Sequence, residues 1–284
     1  MMRKLLSVLM LAPFISAAAA AQSFIGEGIN SAVEAVQEGL DLIWPDELSL
    51  EDVNARVGFG VGTTPDYIGS DDYRLRVIPL LDIRYRDDWR LNGSLLTFTA
   101  KRYGKFEVGP LMNLRLGRPE EQNPALRGLG SINTTFELGA FARYKTDSAL
   151  LSLDYRHGLA SGIRSSVRLT AGHGIYKSKS GDFVAMLGLR ARWLSKGSMQ
   201  TEFGITPIQS QASEIGLRAF ETDAGFAEVS VNLVGAYRLN EKIRFLSLVS
   251  YGHLLGDAKD SPLANEGVGS PSQLVVGGGI AVGF

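Results

Sequence analysis

The chain has 284 residues, is 45% hydrophobic and 21% charged, carries a formal net charge of −1 and contains no cysteine. That composition excludes an intrinsically disordered chain, a polybasic nucleic-acid binder, a disulfide framework and a cysteine-based metal site. A mean hydropathy near zero would suit a soluble enzyme, but 33 glycines exceed the usual ~7% and are spread along the chain.

In chain order, the first element is an address. Arg3 and Lys4 precede an apolar stretch from Leu5 to Ile15, and Ala17 to Ala21 is a small-residue stretch with Ala19 and Ala21 at −3 and −1 of a cut before Gln22. This is the pattern of an export signal over 1–21. Residues 22–52 hold eight acids (Glu27, Glu34, Glu38, Asp41, Asp46, Glu47, Glu51, Asp52) and no Lys or Arg. Ile25, Ile29, Val33, Val36, Leu40 and Ile43 fall on one helical stripe that Pro45 ends, which predicts a periplasmic, acidic, amphipathic helix segment. Beyond the signal no run approaches the ~18 apolar residues of a helical span. The mature chain is soluble or crosses a membrane as strands.

Alternation selects strands. Leu75, Val77, Leu81, Ile83 and Tyr85 oppose Arg74, Arg76, Asp82 and Arg84; Phe136, Leu138, Ala140, Ala142 and Tyr144, preceded by Ile132 and Thr134, oppose Thr135, Glu137, Gly139, Arg143 and Lys145. Val229, Val231, Leu233, Tyr237 and Leu239 likewise oppose Glu228, Ser230, Asn232 and Arg238. The long two-faced runs have the reach of a tilted transmembrane strand, whereas soluble strands average about 5–6 residues. Strands are predicted at 54–62, 73–85, 89–100, 105–117, 131–145, 148–157, 163–175, 183–194, 199–205, 225–239, 242–254 and 272–284. The expectation is therefore an all-β fold, an antiparallel transmembrane β-barrel of about 12 strands over 53–284. An even count puts both termini on the periplasmic side. Residues 63–72, 206–224 and 255–271 become outward loops, and Asn240-Glu241 and Ser195 to Ser198 short periplasmic turns. The stretch 118–130 is long for a periplasmic turn, and ten strands is the alternative. Strand-end aromatics (Tyr85, Trp89, Tyr103, Tyr144, Tyr155, Trp193, Tyr237, Tyr251) would form the interfacial girdles. The last strand ends on Phe284, the aromatic residue expected as a barrel-assembly signal.

Charge divides along the chain. All 29 basic residues except Arg3 and Lys4, and all 30 acids except the eight above, lie in 53–284, giving +5 there against −8 in 22–52. Arg74, Arg76, Arg84, Arg143, Arg164, Arg168, Arg190, Arg192, Arg238 and Arg244 are candidate lumen residues, with Asp82, Glu107, Glu137, Asp154 and Glu228 among them. Two readings follow. The acidic helix restricts the periplasmic mouth of a basic lumen, or inward Arg and acids pair across strands and the helix lies elsewhere.

Three sequence blocks resemble one family. Gly58-Phe59-Gly60-Val61-Gly62 followed by Pro65-Asp66-Tyr67-Ile68-Gly69-Ser70 is similar to the opening strand and first loop of the MipA/OmpV family (MltA-interacting protein/OmpV). Phe203-Gly204-Ile205-Thr206, Gln209 or Gln211, Ser213 and Ala224-Gly225 resemble its long late loop. Tyr251, Leu254-Leu255-Gly256-Asp257-Ala258 and Ser261-Pro262 resemble its last loop. Phe220 stands where the family often has Tyr, and 22–52 is not part of the pattern. The resemblance implies an outer-membrane barrel, and by the named member a scaffold for a murein hydrolase and a murein synthase.

Pro65, Asp66, Tyr67, Gly69 and Ser70, with Gly256, Asp257, Asp260, Ser261 and Pro262, are candidate loop contacts, each also explicable as turn chemistry. His253 with Asp257 and Ser261 is the one arrangement that could mimic a hydrolase triad, and four-residue steps in a loop guarantee no such geometry. No metal-spacing motif or nucleotide fingerprint occurs, and no cofactor is expected. The expected partners are outer-membrane lipids and periplasmic murein enzymes, with no nucleic acid. The leading expectation is a non-enzymatic outer-membrane scaffold; a restricted, anion-leaning channel and a lipid-modifying enzyme are the alternatives.

Overall fold

The computed structural model describes residues 52–160, 164–265 and 267–284. The signal over 1–21 and the acidic segment up to residue 51 lie outside them. Thirteen strands form one antiparallel sheet: β1 (Val53–Pro65), β2 (Tyr73–Tyr85), β3 (Trp89–Asn92), β4 (Leu95–Phe98), β5 (Lys101–Tyr103), β6 (Phe106–Arg115), β7 (Thr135–Lys145), β8 (Ala149–Gly158), β9 (Ser165–Lys177), β10 (Phe183–Leu194), β11 (Gly225–Arg238), β12 (Ile243–Leu254) and β13 (Ser272–Gly283). Neighbours in sequence pair in space, β1 closes onto β13, and β4 closes onto β6. β4 and β5 both pair with β6, at Leu95↔Asn113 and at Lys101↔Val108, with a one-residue change of register between them. They are two halves of one bulged wall strand, so the closed barrel has twelve strands.

The count agrees with the sequence reading, but its composition differs in two places. The stretch 89–100 is not one strand: it is a hairpin whose two-residue turn has Gly93 at φ 57°, the positive φ that a two-residue hairpin turn needs at its first position. The stretch 199–205 is not a strand either. Lys196–Phe203 is a helix, here α1. One extra strand before 105 and one fewer after 194 leave the total unchanged but invert the expected direction of every strand between. The long 116–134 connection thereby moves to the same end as 66–72, 159–164, 195–224 and 255–271. The opposite end keeps only short turns, at 86–88, 104–105, 146–148, 178–182 and 239–242. Ser195 to Ser198 belongs to a long connection, not to a short turn.

Outward positions carry the apolar surface: Val57, Phe59, Val61, Val77, Leu138, Leu153, Leu189, Val231, Val249 and Val276 are all exposed. Such a continuous exposed band is intelligible only against lipid. Exposed aromatics gather at both ends of it. Tyr85, Trp89, Tyr103, Phe106, Tyr176 and Tyr237 lie at the short-turn end, and Tyr73, Phe136, Tyr155, Phe226 and Tyr251 at the other.

The wall is uneven. β2 pairs with β3 only over Asp82–Tyr85, so among the described residues no strand flanks that edge of β2 above Leu81. Pro79, which has no N–H to offer a ladder, sits on this edge, and Leu75 reaches 72% exposure. At the β1–β13 seam the inward positions are small: Gly58, Gly60 and Gly62 meet Ala281, Gly279 and Gly277. A Cβ at Gly58 would stand 2.2 Å from the Ile280 carbonyl oxygen. Gly58→Ala is therefore expected to destabilise the barrel by about 1–3 kcal/mol, read as a lower denaturant midpoint in detergent; an unchanged midpoint contradicts the close approach.

Candidate functional site

The long-connection end is closed by the chain itself. Tyr67, Ala125, Leu126, Leu129, Ile205, Leu217 and Leu263 form one buried cluster drawn from four connections. A second unites Leu194, Met199, Phe203, Ala227, Leu254, Ala258 and Ala264. Tyr67 is the pin of the first: it is 0% exposed, and its hydroxyl lies 3.1 Å from the Leu263 carbonyl oxygen and 3.0 Å from that of Val268. Burial pushes the Tyr67 hydroxyl pKa up, so it remains a donor. Beside it Asp66 is ion-paired with Arg74, and Asn123 donates to Asp66 at 3.0 Å and to Asp72 at 2.9 Å. Burial alone would raise the Asp66 pKa, but these donors hold it below the usual carboxylate value.

α1 fastens this cap to the barrel wall. Met199 and Phe203 share one helical face, buried against the second cluster, and Ser198 and Glu202 share the next. Glu202, fully enclosed, accepts from Arg192 and pairs with Arg115, both at 2.8 Å, while Arg118 donates to its backbone oxygen at 2.9 Å. Thr206 and Gln209 form a capping box at the next helix, Pro207–Ala212. Ser261 donates to the Phe203 carbonyl at 2.6 Å. The three sequence blocks set apart above, at 65–70, 203–213 and 254–262, thus converge on one packed cap.

Most of the expected loop contacts serve this packing. Pro65, Asp66, Tyr67, Gly69, Ser70, Ser261 and Pro262 are buried, Asp257 is half-buried, and only Gly256 and Asp260 are exposed. His253, Asp257 and Ser261 are not assembled into a relay. His253 Nδ1 meets Ser272 Oγ at 3.0 Å, Asp257 accepts from the Asp223 N–H at 2.6 Å, and Ser261 is bonded to Phe203.

Inside the barrel, Arg74, Arg76 and Arg84 take inward positions on β2, Arg143 on β7, Arg168 on β9, Arg190 and Arg192 on β10, Arg238 on β11 and Arg244 on β12. Arg164 precedes β9 instead, lining a cavity of about 320 Å³ with Arg118, Gln200 and Thr206 at the capped end. Inward ions pair across strands, Asp82 with Arg56 and Arg90, each at 2.8 Å, and along one strand, Asp154 with Arg156 on β8 at 3.0 Å. Arg56, Arg90, Arg118 and Glu202 were not singled out from the sequence. Continuing the alternation of β1 back from Gly58 would have found Arg56.

Among the described residues, the short-turn end is open by contrast. A cavity of about 770 Å³ is lined there by Arg84, Arg86, Arg90, Arg102, Arg143 and Lys145 against Asp52, Asp87, Asp88 and Glu107. Arg102 donates to Glu107 at 3.0 Å and to Asp88 at 3.2 Å on its rim. Phe284 finishes the wall at this end, exchanging backbone bonds with Ala55 at 2.7 and 3.1 Å.

Solved barrels are similar in fold at low identity. The KdgM porin covers 81% of this chain and 99% of its own at 10% identity and a TM-score of 0.39. The NanC porin covers 81% and 98% at 11% and 0.41, and OmpT of Vibrio cholerae 82% and 97% at 8% and 0.39. No curated protein sequence matches the chain. Residues 57–284, nearly the whole barrel and its cap, match the family model described as MltA-interacting protein MipA, and the chain belongs to that family.

Proposed function

We propose that this protein is a non-enzymatic outer-membrane barrel that works through its short-turn face, where it contacts murein enzymes. The carrying observation is the asymmetry of the two ends: four connections are packed into a core at one, and a charged vestibule opens at the other. In bacterial barrels short turns face the periplasm and long connections the exterior, which orients the vestibule toward the cell wall. The family's name, MltA-interacting protein, supports a murein hydrolase as one partner. A photo-crosslinking side chain placed in intact cells at the turn residues Asp87, Lys179 or Glu241 should capture a murein hydrolase or synthase. Capture of neither from any of the three positions contradicts the reading.

The Arg-rich vestibule favours a second reading, a restricted channel for small anions. The mature chain in a planar bilayer would then carry a steady anion-selective current. The packed cap predicts none.

A further inference from the structure

The wall carries one arrangement of side chains twice. His157 of β8 stands directly opposite Ser165 of β9; its Nδ1 lies 2.9 Å from the Ser165 Oγ, and the Tyr155 hydroxyl lies 3.2 Å from the same oxygen. His253 of β12 stands opposite Ser272 of β13 in the same register, with Nδ1 3.0 Å from the Ser272 Oγ and the Tyr251 hydroxyl donating to that oxygen at 3.1 Å. On its other flank each ring meets an apolar outward residue, Leu138 of β7 or Val229 of β11. The third histidine, His173 of β9, faces Ala149 and Leu187 instead.

Both sets lie on the lipid-facing surface at the capped end. Tyr155 and Tyr251 are exposed members of the aromatic girdle there, which marks the border between hydrocarbon and headgroups. Each histidine follows two residues later on the same outward face, about 5 Å nearer the end of a strand tilted about 40°, at the level of the lipid headgroups. The hydrogen bonds fix what each ring presents there. With tyrosine donating to the serine oxygen, the serine's own proton goes to Nδ1, and the neutral ring keeps its proton on Nε2; an imidazolium carries one there as well. Either way Nε2–H is a donor with no partner among the described residues. At headgroup depth the strong acceptor is a phosphate oxygen, and a hydrogen bond to an anion is about twice as strong as one to a neutral group.

We propose that Tyr155, His157 and Ser165, and likewise Tyr251, His253 and Ser272, form two matching sites for the phosphate of a membrane lipid. The acyl chains lie along the exposed residues below on the same faces, Leu153 and Leu169 at one site and Val249 and Val276 at the other. Four strands of the twelve separate the sites, roughly 20 Å across the ring, so they hold two separate lipid molecules. This goes beyond contact with murein enzymes and stands whether or not such an enzyme is captured at the turns.

In the test, the full mature chain in detergent is given phosphatidic acid, or diacylglycerol with the same acyl chains, and the lipid that stays bound is counted by native mass spectrometry. Folding is checked by heat-dependent gel mobility. The parent chain should retain two molecules of phosphatidic acid and at least fivefold less diacylglycerol. His157→Ala and His253→Ala should each lose one molecule, the double variant should bind at least tenfold less, and His173→Ala should bind as the parent does. Inorganic phosphate in excess should leave the lipid in place. Equal retention of the two lipids, undiminished binding by the folded double variant, or displacement by inorganic phosphate overturns the proposal. The tautomer gives a second readout: in nitrogen NMR spectra at alkaline pH both rings should carry the proton on Nε2, and Ser165→Ala with Ser272→Ala should let it redistribute to Nδ1. Rings protonated on Nδ1 alone in the parent chain overturn the presented donor.

Discussion

Tyr67→Ala is expected to open the cap. Its ring fills the centre of a cluster contributed by four connections, and truncating a buried aromatic side chain costs about 3–5 kcal/mol when the site cannot collapse. Collapse is hindered here because each neighbour is tethered to a different strand end. A cysteine at Leu126, which is 1% exposed, should be protected from thiol reagents in the otherwise unaltered chain and be labelled at least tenfold faster beside Tyr67→Ala. Tyr67→Phe keeps the ring but leaves the Leu263 and Val268 carbonyls without their donor, so it should cost about 1–3 kcal/mol. Equal labelling in all three backgrounds would show that Tyr67 does not hold the connections together.

The second large effect is expected at Glu202. Removing one partner of a buried ion pair typically costs about 3–5 kcal/mol, because the remaining charge is stranded. In Glu202→Gln, Arg115 and Arg192 would lose the carboxylate between them, and the apparent Tm of the folded barrel should fall. The pH dependence has a definite sign. Burial alone would raise the Glu202 pKa from its ordinary 4.5, but the guanidinium groups of Arg115 and Arg192 outweigh it and bring it to about 2. A pKa depressed by folding contributes stability that is complete above the unfolded value and is lost as pH falls through the folded one. The gap in Tm between the parent chain and Glu202→Gln should therefore be widest above about pH 4.5 and close toward pH 2. A gap that does not change with pH would assign the loss to packing instead of charge.

Much of the barrel was legible because lipid outside and ions inside impose a period of two, and neither face tolerates the other's residues. The two misread stretches have physical reasons. Met199 and Phe203 are four residues apart, a spacing that fits both one face of a strand and one face of a helix. Ser195 in the N-cap position and Pro207 three residues beyond Gly204 were the signals that favoured helices there. In 89–100, the two-residue turn shifts the alternation by one, so that Trp89 and Leu91 share a face with Leu96 and Phe98, and Gly93-Ser94 was its marker. The cap was legible only in fragments. Blocks 65–70, 203–213 and 254–262 stood out as motifs, but their convergence depends on ring closure, which no local pattern records. Tyr67 and Asp66, expected as loop contacts or turn residues, lie in the packed cap, Tyr67 at the centre of its cluster.

The proposed orientation puts the capped end outward and the vestibule toward the periplasm. It is tested most directly by labelling single cysteines with a large, membrane-impermeant maleimide in intact and permeabilised cells. Ile208, on the cap at 79% exposure, should be labelled as Ile208→Cys in intact cells. Leu126→Cys, inside the cap, should resist under both conditions, and Asp87→Cys, at a short turn, should react only after permeabilisation. Labelling of Asp87→Cys in intact cells with Ile208→Cys silent would reverse the orientation, and labelling of Leu126→Cys as fast as Ile208→Cys would show that the outer end is open.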